Sequence, residues 1–128
     1  MVTAELIKIV EAQVEAWNRG DLDGFLKPYL NDQRRTMIIG SFGVIQGFEA
    51  IKNHYLKKME ENSTLGELSV SNLQEVEINP TASFLNGHFS VQLNNQRNVG
   101  LFSLLFIKIG DESKIVCDYT IDFPNNCS

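Results

Sequence analysis

Cysteine, histidine and basic charge are all scarce in this chain, and each scarcity removes a class of function. Two cysteines in 128 residues are too few for a disulfide framework. Cys117 falls inside an expected strand and Cys127 beside the C-terminal end; a bridge between them is possible but nothing in the sequence requires it. Their sparse use is that of a reducing compartment, so cytoplasmic residence is the expectation. His54 and His88 are the two histidines, far apart and without a cysteine or carboxylate at ligand spacing, so neither a metal nor a cofactor is called for. Eleven Lys and Arg against sixteen Asp and Glu give a net charge of -5, which argues against a nucleic-acid surface. No apolar run reaches the length of a membrane span, and Met1–Glu5 lacks a basic stretch ahead of an apolar core. Neither a membrane partner nor a signal peptide is expected.

What is present is the composition of a globular chain, 43% hydrophobic and 21% charged, at the usual size of one domain. No repeat or linker interrupts residues 1–128, which read as a single domain. Leu6, Val10, Gln13, Val14 and Trp17 recur at helical spacing, so a first helix is predicted from an N-cap at Thr3 to about Trp17. Asn18 and Gly20 are residues that stop a helix in the left-handed conformation, and Asp21 can cap the next one. That second helix, from Leu22 to about Tyr29, must be short or kinked because Pro28 lacks an N–H. Thr36–Ile39 and Val44–Ile45 read as strands around a turn at 40–43. A third helix after Gly47 carries the stripe Phe48, Ile51, Tyr55 and Met59.

From Gly66 onward the period becomes two. A slip in the alternation of Leu68, Val70, Leu73, Val76 and Ile78 points to a bulge near Ser71–Asn72. Leu85, Phe89, Val91 and Leu93 share one face of the next strand, with His88, Ser90 and Gln92 on the other. Residues 94–98 read as a hairpin loop, Leu101–Ile109 as a strand covered on both faces, and Lys114–Phe123 as the last strand. Helices first and antiparallel strands afterwards form an α+β layout, with a twisted sheet able to curl around the helices and leave a pocket.

The stretches Trp17–Phe25, Gly43–Gly47, Leu65–Leu68, Gly100–Leu104 and Ile115–Thr120, in that order, resemble the nuclear-transport-factor-2-like (NTF2-like) superfamily, in particular its small SnoaL-like or DUF4440 proteins. The resemblance covers nearly the whole chain. It implies a cone-shaped, curved antiparallel (mixed) sheet wrapped around N-terminal helices, also described as cystatin-like. It does not fix a function, because this fold hosts isomerases, cyclases, dehydratases, adaptors and ligand-binding domains. Aligned with the ketosteroid isomerase of the superfamily, the places of its tyrosine, carboxylate base and protonated aspartate fall at Gln13, Met37 and Leu105, so that route to enolate chemistry is not expected. Where the SnoaL-like branch ends in a His-Asp-His-Thr-like stretch, this chain has Cys117-Asp118-Tyr119-Thr120: the aspartate is kept and the imidazoles are gone.

The same alignment turns Asp118, Thr120 and Asp122, together with Leu101, Ser103 and Leu105, toward the cavity. Asp118 is the candidate acid/base, and burial would raise its pKa. Trp17 and Tyr55 lie on inward helix stripes, where core packing is the simplest role. Gln13 needs a hydrogen-bond partner, either a ligand or a backbone carbonyl. Tyr29 either reaches the cavity or packs under the loop. His54 reads as solvated, and His88 as facing solvent or a subunit contact. Three functions are compatible: binding of a small, largely apolar molecule; an isomerase or cyclase using Asp118, with Gln13 orienting a carbonyl; or a dimeric interaction module whose pocket is filled by Trp17 and Met37. Phe102, Leu104 and Phe106, with Ile115, Cys117, Tyr119 and Ile121, are assigned to the sheet back, whose apolar surface implies a two-fold homodimer.

Overall fold

The computed structural model describes residues 3–123. The capping role expected of the Thr3 side chain, and the state of Cys127, lie outside the described residues. Three helices, α1 (Thr3–Asn18), α2 (Leu22–Leu26) and α3 (Phe48–Asn62), accompany six strands. These are β1 (Met37–Gly40), β2 (Gly43–Gln46), β3 (Glu67–Asn79), β4 (Ala82–Leu93), β5 (Gln96–Ile109) and β6 (Glu112–Asp122). They form one open sheet in the order β2-β1-β6-β5-β4-β3. The β1–β6 pairing is parallel and the others are antiparallel, so the protein is α+β with a mixed sheet. Among the described residues no helix is long and apolar enough to cross a membrane.

The α1 stripe forms as its spacing requires. Leu6, Val10 and Gln13 are buried, and Val14 and Trp17 pack beside them. Gly20 adopts φ 77° after the helix, and Asp21 caps α2 by accepting from the Gly24 N–H at 2.9 Å. Asn18 does more than end a helix. Its amide donates to the Leu68 carbonyl at 2.9 Å and accepts from the Leu68 N–H at 2.7 Å, tying α1 to the edge strand β3.

The β3 bulge lies where the alternation slips, between Ser71 and Gln74, with Asn72 at φ 54°. The expected five-residue loop at 94–98 is shorter: Asn94 and Asn95 alone make the turn, with Asn94 in the left-handed conformation its side chain tolerates.

The phase of β5 is the main correction. Phe102, Leu104 and Phe106 point inward, while Leu101, Ser103 and Leu105 lie on the outer face and do not reach the cavity. The strand is apolar on both faces, so its own alternation fixes no phase. Pairing fixes it instead, because Leu104 sits opposite buried Leu85 on one side and opposite Asp118 on the other. A shift between Leu105 and Phe106 leaves Val116 as an extra residue in β6. Ile115 and Asp118 therefore both face inward, and Ile115 does not belong to the sheet back. Met37 is displaced for a similar reason: it pairs with outward Cys117, and its neighbour Ile38, in register with Asp118, is the buried one. Nor is Leu101–Ile109 covered on both faces, since Leu101 keeps 38% of its surface exposed.

Candidate functional site

Three helices laid across the concave face of a curved sheet leave a cavity of about 380 Å³. Each layer contributes to its wall: Val10 and Gln13 from α1, Phe25 from α2, Tyr55 from α3, Ile38 from β1, Phe89 from β4, Leu104 from β5 and Asp118 from β6. The wall is mainly apolar, and its aromatic part is a connected cluster. Trp17 meets Phe25 edge-on at 4.9 Å and Tyr55 at 5.7 Å, and Phe25 contacts Tyr55 at 5.4 Å and Tyr29 at 5.9 Å. These are the separations at which edge-to-face rings attract. The Trp17 indole N–H donates to the Leu65 carbonyl at 3.2 Å, which fixes the ring while one side faces the cavity. Trp17 is thus both packed and cavity-lining.

Asp118 supplies the buried charge of the site, with only 7% of its surface exposed. The Tyr29 hydroxyl donates to its Oδ2 at 2.5 Å, and the Thr120 hydroxyl donates to its Oδ1 at 2.7 Å. Tyr29 is held for this by a bridge to Ile115 and by burial to 2% exposure, which decides between the cavity and the loop. Burial pushes the Asp118 carboxyl above the ordinary carboxylate value, while the two hydroxyls pull it back. Burial first, and then the Asp118 charge, raise both the Tyr29 and Tyr55 phenols, so they stay protonated. The carboxylate is set beside donors rather than beside a cation.

Gln13 resolves to a backbone partner, its Nε2 donating to the Phe25 carbonyl at 3.0 Å. Asp122 lines the outer part of the cavity, four residues along β6 from Asp118 and exposed, so the two carboxylates do not converge. The structure thus gathers Gln13, Trp17, Tyr29, Tyr55, Asp118, Thr120 and Asp122 around one cavity, and leaves Met37, Leu101, Ser103 and Leu105 outside it.

His54 is a residue the sequence reading misplaced. It is half-buried at the cavity wall, with its ring 4.6 Å from Phe42 and 5.1 Å from Tyr55. Burial, and then the Lys58 charge, lower its pKa. The signal was available, since His54 follows Ile51 by three positions on the inward face of α3. His88 is opposite Leu101 on the outer sheet face. Among the described residues no group of His, Cys, Asp and Glu is placed to hold a metal ion.

No protein-family model matches the sequence, and no curated protein matches it either. Solved structures do. An NTF2-like protein of unknown function from Shewanella oneidensis superposes with a TM-score of 0.88 at 28% identity, over 95% of this chain and 100% of that one. The chain has the fold of the NTF2-like superfamily. A protein of unknown function with a cystatin-like fold from Nostoc punctiforme superposes at a TM-score of 0.79 and 14% identity, over 95% of this chain and 91% of its own. A ketosteroid isomerase-like protein from Erwinia carotovora does so at 0.78 and 14%, over 95% and 96%. At these last identities the likeness is one of fold.

Proposed function

We propose that this NTF2-like protein binds a small, largely apolar molecule in the cavity, with a polar group of that molecule meeting Asp118. The observation that carries the reading is a cavity of about 380 Å³, walled by rings and aliphatic side chains, with one buried carboxyl at depth. Apolar pockets with few convergent polar groups are the usual form of ligand sites, over a range of about 300–1,000 Å³. The interaction-module reading required Trp17 and Met37 to fill the cavity; Trp17 lines open space and Met37 is outside it. The test is a fragment screen by ligand-observed NMR on the native protein and on Val91→Trp, which fills the cavity from the half-buried β4 wall. Hits that compete with one another and are lost in the variant support the reading. Hits indifferent to Val91→Trp contradict it.

An acid/base enzyme of the isomerase or cyclase kind is the second reading, and one contact favours it. The short Tyr29–Asp118 hydrogen bond gives a carboxyl of raised pKa a phenol with which to share a proton. Deuterium exchange into the α-position of a bound ketone would reveal it.

The proposal includes a homodimer through the outer sheet face. Leu101 lies beside Ile121 in the β5–β6 pairing, and these two with Tyr119, Val76 and Val99 are 38–47% exposed. Such a patch favours association. Cytoplasmic residence is also part of the proposal, supported by the sparse cysteine usage.

A further inference from the structure

The hydrogen bonds at the cavity floor bear on the chemistry of the ligand. Tyr29 spends its hydroxyl hydrogen on Asp118 Oδ2 and Thr120 spends its own on Oδ1. With Asp118 ionised, both carboxylate oxygens keep a free lone pair, and neither hydroxyl has a hydrogen left for a ligand. Gln13 gives one amide hydrogen to the Phe25 carbonyl and keeps its second N–H and its amide oxygen. At Asp118 itself the free sites are therefore lone pairs, with the neighbouring Tyr55 hydroxyl hydrogen-bonded to Tyr29, so the group this carboxylate lacks is a donor.

Charge points the same way. The ion pairs Arg19–Asp21, Arg35–Asp32, Lys52–Asp23 and Lys114–Glu112 all lie away from Asp118. The charged side chains of the cavity lining are Asp118, Asp122 and Glu61 against Lys58 alone, and the chain as a whole carries -5. An anionic ligand would meet a like-signed wall, and a cation an opposite one. The ring cluster of Trp17, Phe25, Tyr29 and Tyr55 can offer quadrupole faces to a cation, a contact that strengthens when water is excluded.

We propose that the cavity takes a compact aromatic or alicyclic amine as its ammonium ion, with Asp118 as counter-ion and the Trp17–Phe25–Tyr29–Tyr55 cluster as its wall. This rests on the small-molecule reading above and narrows it to one ligand class. The alternative chemistry for the same carboxyl is a protonated Asp118 donating to a ligand carbonyl, and the two differ in their linkage to protons. An ammonium stabilises the ionised form, so binding lowers the pKa of Asp118 and weakens as pH falls through it; a carbonyl does the reverse. The other titratable groups facing this region are Tyr29 below it, Tyr55, His54 and Lys58 on α3, Asp122 on β6, and Glu61 at the end of α3, while the neighbouring Cys117 feels the Asp118 charge from the outer face. His54 charging in acid would also repel an ammonium, so affinity alone is an ambiguous readout. The side-chain carboxyl carbon of Asp118 must be followed directly.

The experiment uses three probes of one shape: naphthylmethylamine, acetonaphthone and naphthoate. Calorimetry at neutral pH gives their affinities, and carboxyl-carbon NMR follows Asp118 with and without each. The amine is expected to bind at least about tenfold more tightly than the ketone, a difference of one charge-assisted contact. Naphthoate should bind weakest, and the amine should shift the Asp118 titration to lower pH. Tightest binding by the ketone, with the Asp118 titration moved upward, overturns the proposal and leaves the binding function standing. Amine binding that leaves the Asp118 resonance unmoved overturns it as well. If none of the three binds while other fragments fill the cavity, only the ligand class fails; if no fragment binds either, the binding function fails with it.

Discussion

Replacing Tyr29 by phenylalanine removes one oxygen and leaves both the ring that packs against Phe25 and the backbone bridge to Ile115. The lost contact is a hydrogen bond to a carboxyl with 7% exposure, and no water replaces it without reopening the core. Hydrogen bonds to charged groups contribute about 1.5–3 kcal/mol and neutral ones about 0.5–1.5 kcal/mol. The cost of Tyr29→Phe should therefore depend on the state of Asp118: about 2 kcal/mol where it is ionised and about 1 kcal/mol where it is protonated. The sign follows from linkage. Asp118 has its pKa raised on folding, so in the window above the unfolded value the native state holds the proton more tightly. Stability from this group falls as pH rises through that window. The Tyr29 bond opposes the shift, so its removal raises the Asp118 pKa further and widens the window upward. Urea unfolding of both proteins at neutral pH, and at a pH low enough to protonate Asp118, measures the two costs. An equal loss at both, with the Asp118 titration unmoved, would refute the claim that Tyr29 stabilises the carboxylate.

Trp17→Ala should cost about 3 kcal/mol by denaturant titration, the lower end for truncating a large aromatic, because one side of the ring already faces the cavity; an unchanged midpoint would mean the indole is not packed against Phe25 and Tyr55. Gly100→Ala should cost more than about 4 kcal/mol or prevent folding, since a Cβ there would overlap the Ile121 carbonyl of the paired strand and come within 2.8 Å of the Phe89 ring; circular dichroism and urea titration would show it, and native-like stability would mean the β5–β6 register is wrong. Tyr119→Glu, on the outer face, should convert the proposed homodimer to a monomer in sedimentation at micromolar concentration while leaving the fold intact. A native protein already monomeric at that concentration would remove the dimer from the account.

Much of the fold was legible because its signals are local. The apolar stripe of α1, the Gly20–Asp21 break and the β3 bulge each show in a few adjacent residues, and each appears where expected. Asp118, Thr120 and Asp122 line the cavity, a placement that came from the family resemblance, because the polar–apolar alternation of β6 alone would turn its polar face to solvent. β5 offered no such contrast, and its phase is set by Leu85 and Asp118 on neighbouring strands, which no single-strand pattern contains. Ile115 failed for the complementary reason, since the extra residue Val116 leaves no mark on composition. Met37 and Ile38 are two adjacent apolar residues, and a parallel partner 80 positions away decides which one faces in. The Tyr29–Asp118 bond, spanning 89 positions, was beyond any local reading.

The most direct measurement is a crystal structure of the protein with a cavity-directed fragment bound. The account predicts density within the space bounded by Trp17, Tyr55, Phe89 and Leu104, with a polar atom of the fragment at hydrogen-bond distance, about 2.6–3.2 Å, from an Asp118 carboxylate oxygen. A cavity collapsed by inward movement of Trp17 and Tyr55, or fragments bound only on the outer sheet face with Asp118 still sealed beneath Tyr29 and Thr120, would contradict it.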